Sequence, residues 1–460
     1  MTTTAFSTLP LAPAMLENLA SLGYHTMTPI QAQSLPVILA GRDIIAKAKT
    51  GSGKTAAFAI GLLNKLDVKQ FSTQALVLCP TRELADQVAK EIRRLARFTH
   101  NVKVLTLCGG VSIGPQLGSL ERGAHIVVGT PGRIVDHLGK GSLSLQHLQQ
   151  LVLDEADRML EMGFADALET VLQACPLQRQ TLLFSATYPE AIQKISAHCQ
   201  QDPLSVTVDA SHSEQQIEQH FYELQDGQHK HAAIKTLLAY FQPQASIIFC
   251  NTKQQCDEVC TDLRAAGISA LALHGDLEQR DRDQTLVRFA NKSCSVLVAT
   301  DVAARGLDIK GLDAVINYDL SRDPEVHVHR IGRTGRAGAT GLALSLIAPN
   351  EVPRLNRVED YVQQTLTLES LPVTSHDPAE LQPQMVTLCI DGGRKEKLRP
   401  GDILGALTKD AGLSGDTIGK IDIFDFCAYV AVNARVAKKA LQHLQQGKLK
   451  GKKFKARQVR

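Results

Sequence analysis

Short apolar runs, each closed by polar residues or by Gly and Pro, alternate with helical spacing through the first two hundred positions. The runs at 43–46, 75–78, 126–128, 151–153 and 181–184 have the length and unbroken apolar character of parallel strands buried on both faces. Phe58, Leu62 and Leu66 recur at four-residue spacing and predict one apolar face of a helix. After the polar stretch 209–216 the pattern starts again, with runs at 246–249, 270–273, 296–298, 315–316 and 342–346. Two tandem α/β domains with parallel sheets are expected, at 1–208 and 217–370, with the polar stretch as linker.

The texture changes after Leu371, where prolines at 372, 378 and 383 interrupt any regular element. Residues 371–384 read as a second linker. Beyond it a strand (386–390), a helix (402–409), two strands (418–423 and 427–432), a helix (435–446) and a last basic strand follow in order. A β-α-β-β-α-β order over residues 385–460 is that of a small α+β module, ferredoxin-like or RNA-recognition-like.

Composition narrows the picture. With 460 residues, 44% hydrophobic and 21% charged, the chain has ordinary globular values and too much length for one core. No apolar run approaches the roughly 20 residues of a membrane span, and no secretory layout opens the chain, so a soluble, cytoplasmic protein is expected. The ten cysteines lie mostly in apolar runs, and the close pair Cys256 and Cys260 has no second pair to complete a metal site. Reduced, structural thiols follow from that pattern.

The net charge of +3 is unevenly placed. Residues 385–460 carry sixteen Lys and Arg against seven Asp and Glu, a balance of +9, which leaves −6 for residues 1–384. From Arg435 to the end there are ten basic residues and no acidic one. A solvated tail is the bland explanation; a polyanion site fits the density of charge better.

The chemistry sits at two of the strand ends. Ala48, Lys49, Thr50, Gly51, Ser52, Gly53, Lys54 and Thr55 form a glycine-bearing turn between a strand and a helix. Such a turn points successive N–H groups at phosphate oxygens, with Lys54 reaching the β and γ phosphates and the Thr55 hydroxyl ligating Mg²⁺. The first position of the usual pattern is Gly, and here it is Ala48. Asp154 follows three buried strand residues and so emerges at a carboxyl edge, where it can hold hydrated Mg²⁺. Glu155 beside it can then orient and deprotonate the attacking water. Arg333 and Arg336, in the run 329–336 of the second domain, supply positive charge for the transferring phosphoryl group. A nucleoside triphosphatase using ATP is the reading these residues support.

Along nearly the whole first 350 positions the chain resembles the DEAD-box RNA helicases. The motifs stand in order at 23–31, 48–55, Pro80 to Ala85, Gly109-Gly110, Thr130 to Arg133, Asp154-Glu155-Ala156-Asp157 and Ser185-Ala186-Thr187, then His274-Gly275-Asp276, Ala299 to Asp308 and His329 to Arg336. The resemblance implies two RecA-like domains that close on ATP and RNA together. It implies that Gln31 reads the adenine edge, that Phe6 and Tyr24 help form the adenine pocket, and that Gly306 and Asp308 meet the nucleotide. It further implies coupling through Asp157, Ser185, Thr187 and His329, and RNA backbone contacts near Arg82, Gly110, Thr130, Arg133, Gln279 and Thr300. With 4% aromatic residues and no Trp, the core should grip phosphates and 2′-hydroxyls rather than stack bases. Local, non-processive strand separation is expected.

The basic module resembles the C-terminal domain of a bacterial subgroup of that family. This implies recognition of the A-loop hairpin of 23S rRNA and a role in large ribosomal subunit assembly, with a monomer as the working state. Where aromatic residues would stack bases on its sheet, the sequence has Cys389 and Cys427, with Tyr429 remaining. Basic groups, among them Lys448, Lys450, Lys452 and Lys453, are the candidates for holding a structured RNA. A general RNA helicase or chaperone without rRNA specificity, an ATP-gated RNA clamp with little turnover, and a DNA helicase are the rival readings.

Overall fold

The computed structural model describes residues 4–48, 52–208, 217–225, 229–304, 312–335, 340–376 and 381–459. Runs of two to seven residues, most of them apolar and rich in Val, Leu and Ile, pair side by side into three sheets. The first holds seven parallel strands in the spatial order Val104–Leu107, Ile126–Gly129, Ala75–Leu78, Gln150–Asp154, Gln180–Ser185, Ile44–Lys47 and Leu204–Thr207. The second holds seven more: Ala270–Leu273, Val296–Thr300, Ser246–Cys250, Ala314–Asn317, Gly341–Ile347, Ile217–Glu223 and Leu368–Glu369. Numbered along the chain within each sheet, both run 3-4-2-5-6-1-7. One winding pattern is used twice.

Helices cover both faces of the first sheet. Val152, Leu182 and Phe184 pack on one side with Phe58, Ile60 and Leu62 of the helix Lys54–Lys65, while Leu151, Leu153 and Leu183 pack on the other with Met159 and Leu168. Burial on both faces is what forces the strand runs to be continuously apolar. The strands at 104–107, 204–207, 217–223 and 368–369 were not expected from the apolar runs. The first two lie at the edges of their sheet. Strand Ile217–Glu223 is mostly polar and flanked on one side by a strand of only two residues, so it lacks the double apolar coat.

The third sheet has four antiparallel strands in the order Ile418–Ile423, Ala428–Asn433, Met385–Ile390 and Ala456–Gln458. Two helical segments, Pro400–Gly405 continuing as a π-turn to Asp410, and Ala437–Gln446, cover one face over Leu388, Ile390, Val430 and Val432. The final strand is shorter and later than the run of lysines suggested, because residues 449–452 close a tight turn first.

By compactness the chain divides into two units, one built on the first sheet and the other on the second and third. Within the latter, the uncovered face of the third sheet lies on the second domain. Cys389, Tyr429 and Val459 pack against Val287 of the helix Gln279–Ala290. Thr387 is buried there, its hydroxyl 2.6 Å from Ser293 Oγ and accepting from Asn291 Nδ2. The segment leading into this domain is tied down as well: Leu381 is buried in the second domain's core, and Gln382 Nε2 donates to the Gly267 carbonyl at 2.9 Å.

Candidate nucleotide and RNA site

The loop after Ile44–Lys47 enters its helix at Gly53, whose φ of 98° only glycine adopts without strain. A Cβ there would also stand 2.6 Å from the Gln31 amide nitrogen. That amide closes the N-terminus of the helix Pro29–Leu39: Gln31 Oε1 accepts from the Thr28 N–H at 2.9 Å, and Nε2 donates to the Gly53 carbonyl at 3.1 Å. Gln31 is thereby fastened to the glycine loop. Lys54 is buried and donates to the Ala48 carbonyl at 2.9 Å. Lys49, Thr50 and Gly51 lie outside the described residues.

Asp154 ends its strand 3% exposed. Burial pushes its carboxyl up to about 7; Lys54 opposes the shift and Glu155 adds to it. Its Oδ1 is enclosed with no hydrogen-bond partner, as is Ser52 Oγ. Among the described residues no three His, Cys, Asp or Glu side chains gather into a metal site. An enclosed, unsatisfied carboxylate oxygen with the Thr55 hydroxyl suits a hard cation that takes its remaining ligands from phosphate and water, which is how Mg²⁺ is usually held. The residues fit that ion.

Glu155 adopts φ 52°, ψ 52°, a left-handed conformation costing a non-glycine residue roughly 1–2 kcal/mol. The strain lets the chain turn at once from strand into the helix Ala156–Glu161 and sets neighbouring carboxylates on different headings. Asp157, 4% exposed, turns toward the Ser-Ala-Thr turn that follows the strand Gln180–Ser185. Its Oδ2 accepts from the Ala186 N–H (3.2 Å), the Thr187 N–H (3.0 Å) and the Thr187 hydroxyl (3.1 Å), while Ser185 Oγ accepts from the Asp157 N–H. The Ser185 carbonyl in turn accepts from the Ala48 N–H at 3.2 Å. Phosphate loop, acidic turn and Ser-Ala-Thr turn therefore form one bonded chain.

Tyr24 and Phe6 meet edge to face with centroids 6.3 Å apart. The Tyr24 hydroxyl donates to Glu91 Oε1 at 2.6 Å and the Arg94 guanidinium lies 5.7 Å over the ring, while Phe6 is 4% exposed. Both aromatics are held in place by the protein's own groups.

Two helices begin at the carboxyl ends of adjacent strands, Arg82–Leu95 capped by Thr81 and Pro131–Gly139 after Thr130. Their first N–H groups face the same edge, a natural place for phosphates. Gly110 turns with φ 75°. Arg133 is engaged within the domain: it donates to the Val111 carbonyl (2.9 Å) and to Gln116 Oε1 (3.1 Å), and Gln116 also meets His137 and the Cys108 carbonyl. Gln116 was missed in the sequence, where nothing distinguishes it.

The second domain repeats the device. Thr252 caps the helix Lys253–Ala265 at the same place in the winding as Thr81, and Thr300 ends the neighbouring strand before Asp301. Gln279 opens its helix and donates to Asp283; His274 Nε2 lies 2.9 Å from Asp257. His329 Nε2 lies 4.0 Å from Glu325. Arg333 is half-buried, while Gly306, Asp308 and Arg336 lie outside the described residues. Arg330, passed over in favour of its neighbours, is 2% exposed and spends all five guanidinium hydrogens: on Asp301 (2.6 and 2.7 Å), the Asp319 carbonyl (2.6 Å), Asn317 (3.1 Å) and Asn251 (3.2 Å).

Lys448, Lys450, Lys452 and Lys453 are all exposed on the third domain. Lys450 is partly committed, donating to the Lys397 carbonyl at 2.9 Å. Among the described residues no helix is long and apolar enough to cross a membrane.

Comparison with known proteins agrees with this layout. Family models match in three places: DEAD/DEAH box helicase over residues 28–195, helicase conserved C-terminal domain over 229–338 and DbpA RNA binding domain over 387–458. The chain is 59% identical over 455 residues to the ATP-dependent RNA helicase DbpA of Escherichia coli, covering 99% of both. It is 43% identical to the DEAD-box ATP-dependent RNA helicase CshA of Geobacillus kaustophilus, over 77% of this chain and 76% of that one. Saccharomyces cerevisiae Dbp5 bound to RNA and ADP BeF3 superposes with a TM-score of 0.73 at 30% identity, over 80% of this chain and 96% of that one. With its triphosphate loop, its bonded acidic turn and its basic third domain, the chain belongs to the DEAD-box ATP-dependent RNA helicases, among those that end in a DbpA RNA binding domain.

Proposed function

We propose that this helicase is targeted by its C-terminal domain to the A-loop hairpin of 23S rRNA and acts, as a cytoplasmic monomer, in assembly of the large ribosomal subunit. It separates short RNA duplexes locally and does not translocate. The observation that carries the enzymatic half is the bonded chain from Ala48 through Ser185 to Asp157, which links the phosphate loop to the turn expected to sense RNA. The targeting half is supported by the basic charge of the third domain and by burial of its sheet face, which leaves other surfaces for RNA.

In the reaction, Lys54 and the loop N–H groups hold the ATP phosphates, and Asp154 with Thr55 holds Mg²⁺. The ion supplies charge neutralisation on the phosphate oxygens. Glu155 orients the attacking water and accepts its proton. Arg333 and Arg336 stabilise the transferring phosphoryl group, with adenine at Gln31, Tyr24 and Phe6 and the nucleotide also meeting Gly306 and Asp308. RNA runs along the helix starts at Arg82 and Thr130, past Gly110 and Arg133, and continues on Gln279 and Thr300; His329 and Thr187 couple the two ligands.

The test is the ATPase rate without RNA, with poly(A) and with an rRNA fragment carrying the A-loop hairpin, for the full chain and for one ending at Gln382. That end keeps Leu381 in the second domain's core. Stimulation by the fragment above poly(A), lost on truncation, is the expected result. Equal stimulation by every RNA in both chains would leave a general RNA helicase.

A further inference from the structure

Of the ten cysteines nine are buried, and Cys427 alone is partly exposed. Burial in apolar surroundings makes a thiol inert; it holds Cys175 up at about 11, and Cys108 and Cys199 at about 12. Cys427 differs from these in its neighbours as well as in its access to solvent.

It closes a hairpin. The Phe424 N–H donates to the Cys427 carbonyl at 2.8 Å, and Cys427 leads directly into the strand Ala428–Asn433. That strand pairs with Met385–Ile390 in a register that sets Cys389 opposite Tyr429, and the two are the central strands of the four. Side chains two apart on an extended chain share a face, so Cys427, Tyr429 and Cys389 lie on one side of the sheet, where they pack together. Cys389 is 1% exposed.

The two sulfurs are hydrogen-bonded across the strands, with Cys389 donating. That bond brings the Cys427 thiol down to about 6 against the opposing effect of its partial burial, helped by the Tyr429 hydroxyl and the Arg280 guanidinium. Cys250 and Cys256 are hydrogen-bonded too, but both are enclosed in the second domain's core. A thiolate that water reaches, beside a thiol that water does not, is the layout of an attacking sulfur and a resolving one.

We propose that Cys427 and Cys389 are a peroxide-responsive pair that closes to a reversible disulfide, stapling the two central strands of the third domain's sheet. The Cys427 thiolate attacks one oxygen of hydrogen peroxide. The S–O bond forms as the O–O bond breaks, and the departing hydroxide takes up the proton that the thiol had released. The Cys389 thiol then attacks the sulfenic sulfur; the S–S bond forms as the S–O bond breaks, and its proton leaves with the hydroxide as a second water. Two electrons pass from the sulfurs to the peroxide, and a dithiol returns them by exchange. In a reducing compartment the pair rests as thiols and the bond is transient.

The experiment gives the reduced full chain one equivalent of hydrogen peroxide, blocks the remaining thiols with N-ethylmaleimide under denaturing conditions and maps the tryptic peptides. Cleavage at Arg394 and Lys420 separates the two cysteines. The expected product is a peptide pair joined through Cys389 and Cys427, released by dithiothreitol, with the other eight thiols blocked. Absence of that pair, equal joining of Cys250 to Cys256, or a dimer of two chains through Cys427 would overturn the proposal. Cys389→Ser should stop at the sulfenic acid, captured by dimedone on Cys427, whereas Cys427→Ser should slow thiol loss at least about tenfold; an unchanged rate in Cys427→Ser removes it as the attacking sulfur. The wild-type map needs no substitution, so it decides the matter even if Cys389→Ser folds poorly. In the oxidised chain, amide exchange in the strands Met385–Ile390 and Ala428–Asn433 should slow at least about tenfold, because the bond restricts the unfolded loop between them. Unchanged exchange in the joined chain would overturn the staple.

Discussion

At the scale of single residues, the acidic turn separates two kinds of work by environment. Asp154 is enclosed and its carboxyl raised from 3.8 to about 7 by burial. Below about pH 4 it is protonated folded or unfolded and costs nothing; between there and pH 7 the unfolded chain releases a proton that the folded chain keeps, so stability falls as pH rises. Asp154→Asn removes that slope. In thermal melts without nucleotide, the wild type should lose ground to the variant from pH 4 to pH 7 and hold a constant deficit above. A pH-independent difference would mean that the carboxyl is not desolvated. Glu155, expected to handle the water and not the ion, gives a different result: Glu155→Gln keeps ATP and RNA binding while turnover falls about 10²–10⁴-fold. Near-normal turnover with RNA would displace it from that role.

Elements carry their own logic, and the second domain shows it in Arg330. The helix Pro324–Ile331 delivers this one guanidinium to groups at or just beyond the ends of three neighbouring strands, namely Asn251, Asp301 and Asn317 with Asp319. Lysine has the charge but only three donors and no fork. Arg330→Lys should cost the second domain about 3–5 kcal/mol by leaving buried acceptors unpaired, read as a lower denaturant midpoint for that part of the molecule. Retention of the full midpoint would show that the network tolerates loss of the fork. The repeated winding has a repeated start: Thr81 and Thr252 cap equivalent helices after equivalent strands. A cap of this kind is readable in a sequence, whereas the four partner residues of Arg330 come from three separate segments and have no common spacing.

For the whole molecule, the placement of the third domain matters most. Its sheet face, the usual platform for single-stranded RNA, is spent on the second domain through Val287, Thr387, Cys389 and Tyr429. RNA held by this domain is therefore held at a fixed bearing to the second sheet. Val287→Asp would bury an unpaired charge in that contact. The expected result is a larger radius of gyration in small-angle scattering, hairpin binding retained, and hairpin-stimulated ATPase reduced toward the level given by poly(A). Unchanged stimulation despite an opened contact would show that the docking does not transmit targeting.

The apolar runs alone determined two parallel-sheet domains and a β-α-β-β-α-β module, because a strand buried on both faces leaves an unbroken signature. The run before Asp154 also put that residue at a strand end with a turn directly after it, because both features depend on residues close in the chain. The strands at 104–107, 204–207 and 217–223 escaped, because edge positions and a polar neighbour relax the pattern that marks a strand. What only the tertiary structure decided was everything that joins distant segments: the Asp157 clamp on Thr187, the commitment of Arg133 to its own domain, the five bonds of Arg330 and the face by which the third domain docks. Those depend on which side chains meet after folding, and a linear pattern records spacing along the chain, not proximity across it.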